Sequence, residues 1–158
     1  AEHDLYFLEE PLSPDDIGGF AKLVAASPTP IATGEKASHE FEYLDLMDRG
    51  SLRIIQPDIA RMGGISATMR VIAHAEARNV RVIPHCWSTD ILVAATLHCI
   101  ATMRECPYLE YNVTANPLRT DLLVEPIKPH KGVVTVPDKP GLGIELREDT
   151  LKRFRWEP

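Results

Sequence analysis

The chain has 158 residues, 44% of them hydrophobic and 25% charged, a balance that excludes disorder and collagen-like repeats and fits one soluble globular domain. Its 17 basic and 23 acidic residues leave a net charge of −6, which argues against a nucleic acid or an anionic membrane surface as partner. No apolar run approaches the ~18 residues of a membrane span. Three cysteines, Cys86, Cys99 and Cys106, have no paired spacing and read as reduced thiols of a cytoplasmic protein. The first residues carry neither a basic nor an apolar leader, so no secretory signal is expected.

Apolar runs and helical periodicities alternate along the chain. Residues 5–9 read as a strand ending at Glu9. A helix is predicted over 15–26, with Ile17, Phe20, Leu23 and Val24 on one face. A second strand, 30–35, ends at Glu35, and a helix over 38–49 opens with a capping-type Ser38. The third strand, 52–58, ends at Asp58, followed by a helix over 65–78. The fourth, 80–85, ends at His85, and the helix over 89–103 is apolar nearly all round, as a buried helix is. A fifth strand, 108–111, holds Glu110. Beyond residue 112 the pattern changes to a proline-rich tail with short β-like pieces such as 133–136 and a last helix over 149–154. Gly141-Leu142-Gly143 lacks the rest of a dinucleotide fingerprint and reads as a turn.

Glu9, Glu35, Asp58, His85 and Glu110 recur at intervals of about 25 residues, the length consumed by one strand, one helix and two loops. Such units build a parallel sheet with right-handed crossovers. All strands then point one way, and the five polar residues gather at the carboxyl edge, where barrels and doubly wound sheets place their chemistry. Taken singly, each acid also reads as a loop cap, and His85 as an ordinary strand-end histidine. Packing alone would put Val, Ile or Leu at five corresponding places.

Glu9 and Glu35, from adjacent strands, suit a hard cation with oxygen ligands, Mg²⁺ first. Asp58 beside His85 fixes the imidazole tautomer and raises its basicity, which makes His85 a candidate general base. Glu110, if kept protonated, can donate to a developing oxyanion. A metal, a bound carboxylate and a base together predict proton abstraction α to that carboxylate, through an enediolate.

The segments Leu8-Glu9-Glu10-Pro11, Gly34-Glu35, Gln56-Pro57-Asp58-Ile59-Ala60-Arg61 with Gly63-Gly64-Ile65, Pro84-His85, Leu109-Glu110-Tyr111 and Val136-Pro137-Asp138-Lys139-Pro140-Gly141-Leu142-Gly143-Ile144-Glu145 resemble the enolase superfamily, mandelate racemase/muconate lactonizing enzyme subgroup. The resemblance runs through essentially the whole chain. It implies an α/β fold that is the C-terminal part of a (β/α)7β TIM-like barrel, with about five parallel strands, four helices and the proline-rich tail. It divides the chain into a partial barrel over 1–112 and a tail over 113–158 that packs back. The N-terminal capping domain and the first barrel strands are expected to be absent, because a full barrel takes ~250 residues.

The resemblance also makes Glu9 and Glu35 the second and third ligands of a Mg²⁺ ion, Asp58 and His85 the base dyad, and Glu110 the acid facing the substrate carboxylate. Glu10 stands behind them, or is a salt-bridged or capping acid. Trp87, in Pro84-His85-Cys86-Trp87-Ser88-Thr89, and Arg119, in Asn116-Pro117-Leu118-Arg119, resemble substrate contacts of members acting on sugar acids and lactones. Arg119 also reads as a surface salt bridge. The expected reaction is dehydration of an aldonic or aldaric acid, with lactone cycloisomerisation or racemisation as the alternative. The expected partners are a small carboxylate, the missing N-terminal half and further copies in a homo-oligomer. The contrasting reading is a non-catalytic remnant or interaction module.

Overall fold

Four strands pair in parallel in the order β1-β2-β3-β4: Leu8–Glu9, Ile31–Thr33, Ile54–Ile55 and Arg81–Val82. The structure, a computed structural model, describes residues 3–157. Ala1, Glu2 and Pro158 lie outside the described residues, and the leader-free start read from the sequence falls partly on them. The crossovers are α1 (Ile17–Ala26), α2 (Glu40–Asp48) and α3 (Ile65–Ala77), and α4 (Asp90–Ile100) follows β4. The tail adds α5 (Pro117–Thr120) and α6 (Glu148–Arg153). Among the described residues no helix is long and apolar enough to cross a membrane.

The chain forms two compact units. The first holds the described residues up to His85 together with Met103–Glu110, and the second holds Cys86–Thr102 together with the chain from Tyr111 onward. α4 thus groups with the tail, although its sequence periodicity continues the βα repeat.

In the first unit the pleat sorts the strand residues onto two faces. Ala32, Ile54 and Ile83 form a buried apolar layer on one face, with Phe7 packed against it. Two residues further along each strand, on the same face, stand Glu9, Gly34, Gln56 and His85. The opposite face carries Ile31, Thr33, Ile55 and Val82, all buried. The polar layer therefore sits directly above an apolar floor.

The helices begin where local donors are satisfied. The side chain of Asp16 accepts from Gly19 N at 2.8 Å and caps α1. α2 opens two residues later than the periodicity predicts, because Glu42 reaches back to accept from Ser38 N and His39 N. His39, not Ser38, is its N-cap. α4 ends at Ile100, where the Thr102 hydroxyl donates to Cys99 O.

The fifth strand-like run does not join the ladder. Glu110 N donates to Pro84 O at 3.4 Å, and no further backbone bond ties residues 108–111 to β4 among the described residues. Pro84 has no N–H to return, so pairing stops there. The β-like piece at 133–136 reduces to one bridge, His130 to Val133, across a turn in which Lys131 and Gly132 take positive φ.

Candidate active site

Three acids, Asp58, Glu35 and Glu110, converge on His85, which is 4% exposed. Its Nδ1 lies 2.6 Å from Asp58 Oδ2, and Asp58 is 2% exposed. The other carboxylate oxygen, Asp58 Oδ1, accepts from the backbone N–H groups of Ala60 and Arg61. The turn after β3 therefore aims the carboxylate at the imidazole. His85 Nε2 faces away from Asp58 toward two more acids: Glu35 Oε2 at 3.2 Å and Glu110 Oε2 at 3.8 Å.

The electrostatics follow from this cage. The hydrogen bond His85 donates to Asp58 raises the His85 pKa against the opposing effect of burial, helped by the charges of Glu110 and Glu35. Burial pushes Asp58 up, but the hydrogen bonds from His85 and Ala60 outweigh it and hold its pKa below the usual value. With a proton on Nδ1 shared with Asp58, Nε2 is the nitrogen left to exchange a proton with a bound molecule.

Glu35 owes its place to the turn after β2. Gly34 has φ +130, and a Cβ there would stand 3.1 Å from both Gln56 N and Tyr43 Cε1. Ala37 N donates to Gly34 O at 3.2 Å to close the turn. The buried Tyr43 of α2 clamps it from below, its hydroxyl donating to Gly34 O at 2.7 Å, with Ala37 O at 3.1 Å. Burial and the charge of Asp58 push the Tyr43 pKa up, so the hydroxyl keeps the proton it donates. Arg61 Nη1 lies 3.9 Å from Glu35 Oε1. Neither Tyr43 nor Arg61 was singled out by the sequence. Tyr43 looks like any core aromatic, and only its hydroxyl contacts reveal its role.

Glu9 ends β1 beside Ala32 of β2 and is exposed. Among the described residues no group of three or more His, Cys, Asp or Glu is arranged to hold a metal ion. Glu9 and Glu35 nonetheless suit Mg²⁺, since both offer hard carboxylate oxygens. That ion is commonly held by one or two protein carboxylates, with water and substrate filling the rest. Gln56, on the same face, buries Oε1 without a hydrogen-bond partner among the described residues.

The remaining expected contacts belong to the second unit. Trp87 is 57% exposed. Arg119 makes no ion pair among the described residues. Its Nη1 donates to the Tyr111 hydroxyl at 2.9 Å and its guanidinium lies 5.2 Å from that ring's centroid, while Tyr111 donates onward to Ile127 O. The surface salt bridge read as one option for Arg119 is therefore replaced by an aromatic contact.

A parallel βα sheet with a buried carboxylate–imidazole pair and two further acids at its carboxyl edge defines an α/β enzyme fold of the TIM-barrel kind. Residues 1–150 match the family described as enolase C-terminal domain-like, and the chain belongs to that family, within the enolase superfamily's mandelate racemase/muconate lactonizing enzyme-like group. It is 36% identical over 157 residues to the D-galactarolactone cycloisomerase of Agrobacterium fabrum, covering 94% of this chain and 42% of that protein. It is 33% identical over 158 residues to the D-galactonate dehydratase of Xanthomonas campestris pv. campestris, covering 96% and 41%. The crystal structure of the 3,6-anhydro-D-galactonate cycloisomerase from Zobellia galactanivorans superposes with a TM-score of 0.89 at 33% identity, over 96% of this chain and 43% of that one. The chain thus spans about two fifths of the length of the relatives it matches.

Proposed function

We propose that this chain works as the C-terminal part of a longer enzyme that removes the proton α to the carboxylate of a sugar acid and then dehydrates it. The observation that carries this reading is the 2.6 Å contact between buried Asp58 and His85, which leaves Nε2 facing the carboxyl edge. In this mechanism Nε2 of His85 takes the α-proton. The C–H electron pair moves into the carboxylate, giving an enediolate. The protonated His85 then returns that proton to the β-hydroxyl as it leaves as water, and the resulting enol tautomerises to a 2-keto-3-deoxy acid. Asp58 balances the imidazolium formed midway. Glu110, when protonated, donates to the oxygen on which charge builds. Glu9 and Glu35 would hold Mg²⁺, which supplies a Lewis acid for that charge. Arg119 and Trp87 are assigned to substrate binding, Arg119 to a distal carboxylate. Three cysteines outside any disulfide fit a reducing, cytoplasmic setting.

The second reading is cycloisomerisation of a sugar lactone, favoured by the 36% identity to a lactone cycloisomerase. Mass separates the two. Incubating the full-length enzyme with aldonic acids, aldaric acids and their lactones yields a product one water lighter if it dehydrates and an isobaric product if it cycloisomerises. Neither product, from a protein shown to be folded, would leave the non-catalytic reading standing. The isolated 158-residue chain is proposed to be inactive or nearly so, because it spans only about two fifths of its relatives.

A further inference from the structure

Glu10 follows Glu9 directly, and Lys36 follows Glu35 directly. These two neighbours bind each other: Lys36 Nζ donates to Glu10 Oε2 at 2.8 Å. The Thr33 hydroxyl, on a residue with no exposed surface, donates to Glu10 Oε1 at 3.2 Å. Glu10 N donates to Ala32 O at 3.0 Å, extending the β1–β2 ladder by one bond. The backbone N–H and both carboxylate oxygens of Glu10 are therefore committed to β2 or the turn beyond it.

The backbone of Glu10 shows what this arrangement demands. Its φ is +40, in the left-handed region that residues other than glycine enter at a cost. Such a conformation persists where the surroundings over-determine it. Here it takes the chain out of β1 just after Glu9 and brings the Glu10 carboxylate within reach of Thr33 and Lys36. The Glu10 side chain is 18% exposed against 50% for Lys36, so the acid end is the fixed one and the lysine closes over it.

We propose that Glu10 and Lys36 form a positioning strap that holds the ends of β1 and β2, and with them the carboxylates of Glu9 and Glu35, at a fixed spacing. The inference rests on the reading of Glu9 and Glu35 as a cation site. It adds residues that touch neither the ion nor the substrate but set the separation of those that do. Groups behind metal ligands act this way, and their loss commonly weakens binding ten- to a hundredfold.

The test uses the ¹⁵N-labelled full-length enzyme and Mn²⁺ as probe, with two NMR readouts. One is paramagnetic broadening of the Glu9 and Glu35 amides during Mn²⁺ titration. The other, in metal-free buffer, is hydrogen exchange of the Glu10 and Ala37 amides, whose bonds close the two strand ends. Glu10→Gln and Lys36→Met are each expected to weaken Mn²⁺ binding about tenfold. Both should also speed exchange at both amides while the shifts of Ala32 and Ile54 stay in place. The swapped pair Glu10→Lys with Lys36→Glu is expected to recover most of the loss, which a mere loss of stability at either site would not allow. Mn²⁺ binding within twofold of the parent in both single variants overturns the strap. A parent whose Glu9 and Glu35 signals ignore Mn²⁺ overturns the cation reading instead. Exchange then decides the strap: faster exchange at both amides supports it, and unchanged exchange overturns it.

Discussion

His85 has one nitrogen on Asp58 and the other between Glu35 and Glu110, so its charge state is coupled to the stability of the first unit. Its pKa in the folded chain lies above the ordinary value of about 6.5. The stability this contributes is full below about pH 6.5 and is lost as pH rises through the raised value. Asp58 lies below its ordinary value of about 3.8, so its contribution is present above that pH and is lost as pH falls through the lowered value. The pair is therefore expected to stabilise the fold most between roughly pH 4 and 6.5. Urea unfolding of the chain across pH in chelating buffer should show this plateau, and His85→Asn should flatten its alkaline side. An unchanged slope would mean that the imidazole is not held by these acids. In the full-length enzyme, His85→Asn is expected to abolish exchange of the substrate α-proton with deuterated water. Asp58→Asn should slow it less, since the base remains but is badly held. NMR of that proton reads both variants, and exchange at the parent rate in His85→Asn would assign the base elsewhere. Asp58 and His85 were legible as neighbours because each ends an apolar run at the repeat spacing, three residues past the paired strand. Lys36 and Tyr43 were not. They act through contacts 26 residues back, for Lys36 with Glu10, and through one hydroxyl, for Tyr43, and neither leaves a periodic trace.

The turn from Gly34 to Ala37 is the element on which the site geometry depends most. It carries Glu35, is roofed by the Glu10–Lys36 pair and is pinned from the α2 side by Tyr43. Gly34→Ala meets both a strained φ of +130 and contacts of 3.1 Å to Gln56 N and Tyr43 Cε1. It is expected to cost about 2–3 kcal/mol of stability. Tyr43→Phe keeps the ring but strips the hydroxyl from two buried carbonyls, at about 1–2 kcal/mol. Chemical denaturation measures both, and a neutral Gly34→Ala would mean that the turn relaxes freely. At this scale α1–α4 and α6 were read to within about three residues at each end, because the apolar stripe that buries a helix is the main signal that predicts it, whereas the one-turn α5 in the tail was not predicted. The strands were read too long. The apolar runs span five to seven residues, but paired hydrogen bonds cover two or three. The run at 108–111 looked like its fellows because its composition is strand-like, and the missing N–H of Pro84 removes one of the bonds that would tie it to β4.

For the whole molecule, the sheet order leaves β1 as an edge strand. A barrel strand is normally paired on both sides, and closure is what removes edges. Here Leu5, Tyr6 and Leu8, on and just before β1, are 51%, 42% and 41% exposed. An exposed edge with apolar side chains is a template for pairing with another chain. The lysine and proline that natural edges use as protection are missing between His3 and Glu10. The isolated chain is therefore expected to self-associate through β1, and light scattering at increasing concentration should show a rising mass. Leu8→Lys puts a charge on the edge without touching the polar layer, since Leu8 faces the side opposite Glu9. That variant should shift the chain back toward a mass of 17.6 kDa. His85 titrating as in the parent would show the site intact. A parent that stays monomeric at high concentration, or a Leu8→Lys variant that associates as strongly, would place the contact away from this edge.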